Sequence, residues 1–395
     1  MDLRMKLPDA VEYIIEKLTQ TGYEAYVVGG SVRDSLIGRE LGDFDITTSA
    51  LPSETKAVFS DCRTVDTGMR HGTVSVIIDR VPYEITTYRI DGDYKDNRHP
   101  DTVDFTDKLS EDLKRRDFTV NAMCYSHSKG FVDLFGGVED IKKRLIRAVG
   151  DPYVRFDEDA LRILRALRFS SVLDFDIEKK TADALVDKRE LLVSVSRERI
   201  YTELKKLMMG KRPSSTLIEY ADVFSVILDG INVKNMPKDE AMADFDYKTR
   251  LAAIFLLNCD NPPVAAERVL TDLKTDKQIR VDTVSCLSCY PSCDFSSDEA
   301  ILLSMAEMGD GAVRDVLSLG LLTNRFTAAE LERFESLNER NPVYRISQLA
   351  VSGIDVSELG LVGEEIGSAL SRLLFAVIKG ECENTRASLL SYLTK

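Results

Sequence analysis

The sequence predicts an α+β chain: a head of strands and helices over residues 1–148, followed by helices alone. Three observations carry this. Strand-like segments rich in β-branched and aromatic residues mix with helical segments up to residue 145 or so, and after Gly150-Asp151-Pro152 the strand signals stop and a helical period dominates. The third is length: 395 residues can bury a large core and form two or more domains. The expected divisions are residues 1–148, with strands and helices, and two helical stretches, 149–230 and 231–395.

Taken in order, residues 4–22 read as an amphipathic helix with Val11, Ile14, Ile15 and Leu18 on one face, ending at Gly22. Tyr26-Val27-Val28 reads as a buried strand. Gly29-Gly30 lets the backbone approach a ligand, Ser31 can cap the helix that follows, and Arg33 on its first turn can fork onto phosphate. Gly42-Asp43-Phe44-Asp45-Ile46-Thr47-Thr48 reads as a second strand. Two carboxylates two residues apart on a strand share a face, about 6.6–6.8 Å apart along the chain. Such a pair suits Mg²⁺, a hard cation that keeps positions open for substrate phosphates.

Leu51-Pro52-Ser53-Glu54 reads as a capped helix start, with strands at 72–78 and 82–88. Glu84 is the one acid on the second of these; an edge-strand Glu facing water is its plainer reading. Residues 89–112 are polar and loop-like, and a connection of that length is functional or mobile. In Arg115-Arg116-Asp117-Phe118-Thr119-Val120-Asn121-Ala122, guanidiniums suit a triphosphate and the carboxylate suits sugar hydroxyls. Asp133-Leu134-Phe135-Gly136-Gly137-Val138-Glu139-Asp140 carries paired glycines that can absorb backbone rotation.

Phe156 to Phe169 reads as one helix. Ala160, Ile163, Leu164 and Leu167 form its apolar face, with Glu158, Asp159, Arg162 and Arg165 opposite at i, i+3 and i+4 spacing. A solvated, ion-paired face is the commoner meaning of that pattern. The chemical meaning explains more. Cytosine and adenine both show an amino donor beside a ring-nitrogen acceptor, whereas guanine and uracil show the reverse. An Asp acceptor beside an Arg donor therefore fits C and A, and a mismatch leaves a buried charge unpaired.

These stretches, in this order, resemble the class II tRNA nucleotidyltransferases (CCA-adding enzymes) and the related bacterial poly(A) polymerases, whose head is of the polymerase-β type. The resemblance covers roughly residues 8–210 through five motifs, the fifth being Ser194 to Leu204, where Glu198, Arg199 and Glu203 would brace the preceding helix. It implies a mixed-sheet head followed by an all-α neck, body and tail. It implies Asp43 and Asp45 as catalytic Mg²⁺ ligands, with Glu84 as a third catalytic carboxylate that completes the metal site or takes the proton of the attacking hydroxyl. Nucleotide binding would fall to Gly29, Gly30, Ser31, Arg33, Arg115, Arg116, Asp117, Asn121, Glu158, Asp159, Arg162, Arg165 and Arg168. The implied reaction is template-independent addition of CCA to tRNA from CTP and ATP. In the family, the position of residues 89–112 holds a flexible loop that switches addition from C to A, and Gly360 to Gly367 resembles the tail that holds the tRNA elbow. A poly(A) polymerase, a CC-only or A-only enzyme, an antibiotic-modifying nucleotidyltransferase and an RNA-binding protein with an inactive head are the rivals.

Composition sets the outer bounds. Apolar content of 44% marks a globular chain. No apolar run approaches the ~18–20 residues of a membrane span and the N-terminus lacks a signal-peptide core, so a cytoplasmic protein is expected. A net charge of −14 argues against a general nucleic-acid coat, yet residues 111–210 hold 20 Lys and Arg against 18 Asp and Glu, compatible with a local phosphate-binding strip. Seven scattered cysteines fit a reducing compartment, and Cys286, Cys289 and Cys293, with the three histidines far upstream, read as structural.

Overall fold

The computed structural model describes residues 4–66, 68–92 and 103–394. The chain divides into two compact units, Met1–Asn232 and Val233–Lys395. The first contains, in order, α1 (Asp9–Gln20), β1 (Ala25–Val28), α2 (Gly30–Leu36), β2 (Asp45–Thr48), α3 (Pro52–Val58), β3 (Arg63–Val65), β4 (Thr73–Ile78), β5 (Val81–Thr87), β6 (Arg89–Asp91), β7 (Val103–Phe105), α4 (Leu109–Lys114), β8 (Met123–Ser126), β9 (Gly130–Asp133), α5 (Gly137–Lys142), β10 (Leu145–Ile146), α6 (Pro152–Glu158), α7 (Leu161–Leu173), β11 (Asp176–Ile177), α8 (Lys179–Asp187) and α9 (Arg197–Met208).

Seven strands form one mixed sheet in the order β3-β4-β5-β2-β1-β8-β9. Only β2 and β5 run parallel; the other neighbours are antiparallel. Both faces of β1 are covered, which is why Ala25-Tyr26-Val27-Val28 is apolar without alternation. Ala25 and Val27 join the core beneath α1 with Val11, Ile14, Leu18, Ile46 and Ile85. Tyr26 and Val28 pack on the other side with Tyr88, Leu113 and Cys124.

The structure corrects five local expectations. Helix α1 begins at Asp9 rather than near residue 4. Strand β2 begins at Asp45, so Asp43 lies in the preceding loop. Its partner β1 ends opposite Asp45 at Val28, and Gly29 then turns into α2. Ser31 is not a cap: Gly29 takes the N-cap position and the Ser31 hydroxyl is buried without a partner. Residues 89–112 are not all loop, since β6 pairs with β7 and α4 follows; the stretch 93–102, with Asp93, Asn97 and His99, lies outside the described residues. The helix expected over 156–169 is two helices broken at Asp159, which is extended and accepts the Leu161 N–H, starting α7 afresh.

The second unit is helical throughout its described elements, from Asp239–Met242 to Arg386–Leu393. Its last core gathers Val356, Leu373, Leu374 and Leu389. Gly363 stands at the N-cap of the helix Glu364–Ile378. Cys286 and Cys293 are buried, and loss of hydration pushes both thiols well above their ordinary pKa. Among the described residues no helix is long and apolar enough to cross a membrane.

Candidate functional site

The site starts where β1, β2 and β5 run side by side. The register Ile46↔Ile85 and Thr47↔Thr86 places Asp45 beside Glu84 on the face away from the α1 core. Strand β5 lies between β4 and β2, so Glu84 is not on an edge strand. A cleft of about 550 Å³ opens here, lined by Asp43, Phe44, Asp45, Tyr83 and Glu84. All three acids are solvent-exposed. Partial desolvation raises the Asp45 carboxyl above its ordinary pKa; Arg116 opposes this and Asp43 adds to it.

Among the described residues, no group of three or more His, Cys, Asp or Glu side chains is close enough to ligate one ion. Asp43 and Asp45 nevertheless offer an exposed, oxygen-only pair. That fits a Mg²⁺-like cation, which takes one or two carboxylates and fills its remaining positions with water and phosphate.

Gly29 joins β1 to α2 at φ +83°, a conformation open to glycine. A Cβ here would stand 3.5 Å from Arg116 Nη1 and 4.0 Å from Asp45 Oδ2. Arg116 and the acidic strand therefore border the same bare patch of backbone. The Arg116 Nε is buried without a hydrogen-bond partner.

Beneath it lies Asp112, which the sequence reading passed over and whose side chain is fully buried. Its position on α4, three and four residues before Arg115 and Arg116, was the available signal. Arg115 donates to Asp112 Oδ1 from Nε at 3.0 Å and Nη2 at 2.7 Å, Arg116 Nη2 donates to Oδ2 at 3.3 Å, and Thr47 Oγ1 donates to Oδ2 at 3.2 Å. Burial pushes this carboxyl up, but Arg116 and Arg115 more than offset it and hold it below the usual range.

A second buried relay joins the sheet to α7. Arg33 forks onto Asp34 at 3.0 and 2.9 Å, and its Nη1 donates to Asn121 Oδ1 at 2.5 Å. Asn121 Nδ2 donates to Asp117 Oδ1 at 3.2 Å, and Arg165 Nε donates to Asp117 Oδ2 at 2.8 Å. Burial would raise the Asp117 carboxyl, yet Arg165, Asn121 and Arg162 draw it down to about 2. Asp117 thus bonds Arg165 across the two segments.

The residues expected to read a base follow at the α6–α7 break. Asp159 accepts Arg199 Nη2 at 2.9 Å. Arg162 Nη1 donates to Glu158 Oε2 at 2.5 Å, and its Nη2 donates to the Arg115 carbonyl at 2.9 Å. Arg162 is buried against the sheet-bearing segment rather than lying on a solvated face. Arg168 pairs with Glu203 of α9 at 2.7 Å. Burial lowers the Arg168 pKa to about 10, so it stays charged at neutral pH. Phe169 binds this set together. The guanidinium carbons of Arg168, Arg33 and Arg165 lie 3.8, 5.1 and 5.4 Å from its ring centre, and Phe118 meets it edge-on. Spacing alone offered no signal for Phe169, because a buried Phe on a helix reads as core.

Three family models match successive parts of the chain: "Poly A polymerase head domain" over residues 25–147, "Probable RNA and SrmB- binding site of polymerase A" over 174–223, and "tRNA nucleotidyltransferase domain 2 putative" over 244–393. The chain is 37% identical over 391 residues to the CCA-adding enzyme of Bacillus velezensis, covering 96% of each. It is 36% identical over 408 residues to that of Lactococcus lactis subsp. cremoris, covering 99% of this chain and 98% of the relative. Among solved structures it resembles the Bacillus stearothermophilus CCA-adding enzyme in complex with CTP, at TM-score 0.78 and 31% identity over 99% of this chain and 98% of that one. The Thermotoga maritima CCA-adding enzyme complexed with tRNA shares the fold at TM-score 0.68 and 21% identity, over 99% of this chain and 97% of that one.

Proposed function

The chain belongs to the CCA-adding enzyme family of tRNA nucleotidyltransferases, and on that premise we propose how its side chains divide the work. The reaction is template-independent addition of CCA to the 3′ end of tRNA, with CTP and ATP as substrates. The tRNA 3′-hydroxyl attacks the nucleotide α-phosphate, a new P–O bond forms, and the bond to pyrophosphate breaks. Enzymes of this kind use a divalent metal; here we assign Mg²⁺, held by Asp43 and Asp45, which when bound would stabilise charge on the phosphates. The tRNA substrate makes the cytoplasm the expected place of action.

Every remaining role belongs to the chain's own groups. To Glu84, beside Asp45 on the same face, we assign the proton of the attacking hydroxyl; the shared face supports this. Arg116 meets the phosphates across Gly29, where a missing Cβ leaves room for them. Arg33, half satisfied by Asp34 and Asn121, keeps N–H groups for the same triphosphate. Asp159 and Arg162 read the base edge, exchanging Arg199 and Glu158 for the base's donor and acceptor.

The observation that carries this reading is the Arg162–Arg115 carbonyl bond at 2.9 Å, one residue from Arg116. It ties the turn that bears Asp159 and Arg162 to the backbone beside Arg116, whose guanidinium borders Gly29 and Asp45. The deciding experiment gives purified enzyme a tRNA lacking its 3′ end, with labelled CTP and ATP separately and then together. Full CCA addition requires two C from CTP alone and a single A after them. Indifference to CTP with a run of A would make it a poly(A) polymerase, and arrest at CC or addition of A only would reassign it within the family.

A further inference from the structure

We propose that Asp112 is a positioning residue for nucleotidyl transfer: it aims Arg116 across Gly29 at the substrate phosphates and keeps it off Asp45. The inference rests on reading the Asp43–Asp45 cleft as the triphosphate site. Asp112 shares its two oxygens unequally. Oδ1 is occupied by Arg115 through two short bonds, while Oδ2 holds Arg116 by a single contact at 3.3 Å and takes Thr47 at 3.2 Å. Thr47 lies two residues beyond Asp45 on the same face of β2, so the carboxylate is bonded to the strand that bears the acid.

Arg116 is thereby held on one nitrogen only. Its Nε is buried and unpartnered, and its Nη1 stands at Gly29. A buried N–H without a partner is costly, so the guanidinium is set to take up a further anion. The rival anion in the chain is Asp45, whose Oδ2 lies within 4.0 Å of the same point. An Arg116–Asp45 ion pair would remove a metal oxygen and turn the guanidinium from the phosphates. Asp112 prevents this because a buried carboxylate attracts a cation more strongly than an exposed one.

The test compares full-length wild type, Asp112→Asn, Arg116→Ala and the double variant. It reads KM and kcat for CTP on a tRNA lacking its 3′ end, CTP affinity by calorimetry in EDTA, and Mn²⁺ affinity from the free-ion EPR signal. Asp112→Asn is expected to weaken CTP about tenfold in both KM and EDTA affinity, the size of one charged hydrogen bond. It should also weaken Mn²⁺ a few-fold as Arg116 moves onto Asp45, on the order of a rearranged surface pair. Both losses should vanish against an Arg116→Ala background, where no guanidinium remains to misplace. Thr47→Val, which spares the charge, should give a smaller loss in the same direction and serves if Asp112→Asn fails to fold. Losses from either variant that multiply with Arg116→Ala overturn the positioning role. CTP affinity unaltered in Arg116→Ala overturns instead the phosphate role on which it rests.

Discussion

Asp117 and Arg165 form an ion pair between two segments 48 residues apart, with Arg165 Nε at 2.8 Å and the carboxylate 8% exposed. This pair makes the strand-bearing part and the first long neck helix share one site. It also stores stability that depends on pH. The Asp117 carboxyl titrates at about 2 in the folded chain against an ordinary 3.8, so the folded form favours the charged state. The contribution is complete above the ordinary value and is lost as pH falls through the folded one. Denaturant unfolding from pH 7 to 2.5 should show a loss on the order of 2 kcal/mol at the acid end from this group. Asp117→Asn should cost about 3–5 kcal/mol at pH 7 and flatten that acid limb.

Asp43 and Asp45 sit exposed at the mouth of the cleft, one on a loop and one at a strand end. Asp43→Ala or Asp45→Ala should lower kcat by about 10³ or more, the size of several kcal/mol of lost charge stabilisation. Thermal melting should stay within ~2 °C of wild type. Retained incorporation would remove the metal assignment.

Two glycines should separate chemistry from stability. Gly29→Ala places a methyl group beside Arg116 and forces a side chain into φ +83°, so CTP and ATP incorporation should drop well beyond the ~1–2 kcal/mol lost in stability. Gly137→Ala drives a Cβ to 2.3 Å from the Thr119 carbonyl and 2.8 Å from Met123 Sδ. It should cost about 1–3 kcal/mol of stability and appear first as a lower Tm.

Phe169 holds three guanidiniums at its ring. Phe169→Leu keeps most of the volume and loses the ring face. At about 0.5–1 kcal/mol for each contact weakened, KM should rise several-fold for CTP and ATP alike. Base preference should be unchanged, because Asp159 and Arg162 are held by Arg199 and Glu158 and not through the three guanidiniums at this ring.

Arg162→Ala should act the other way. It deletes a charged donor from the base-reading turn, worth about 1.5–3 kcal/mol, so kcat/KM for CTP should fall 10- to 100-fold. UTP should lose less, and competition between labelled CTP and UTP reads the narrowing directly.

Much of this was legible before any coordinates. The buried strand at Val27-Val28, the glycine turn, the acidic pair and the order of the motifs depend on side-chain type and local spacing, and these act over a few residues. Asp112 and Phe169 were not legible in the same way. A lone Asp on a short helix and a Phe among helical apolar residues acquire their roles from partners far along the chain. The break at Asp159 was hidden too, because the helical period runs through it; only the extended backbone and the bond to the Leu161 N–H reveal that α7 starts anew there.

The amino-acid sequence by itself therefore determined the α+β head, the helical remainder and the chemical types gathered for the reaction, since period, charge and glycine freedom are properties of short segments. The tertiary structure alone decided how each arginine is partnered. Arg115 is paired with a buried Asp112, Arg165 with Asp117 and Arg168 with Glu203, while Arg116 meets Asp112 through one nitrogen and stands beside Asp45 at Gly29. Charge on an arginine is set by its chemistry, but its availability depends on which buried carboxylate the fold brings against it.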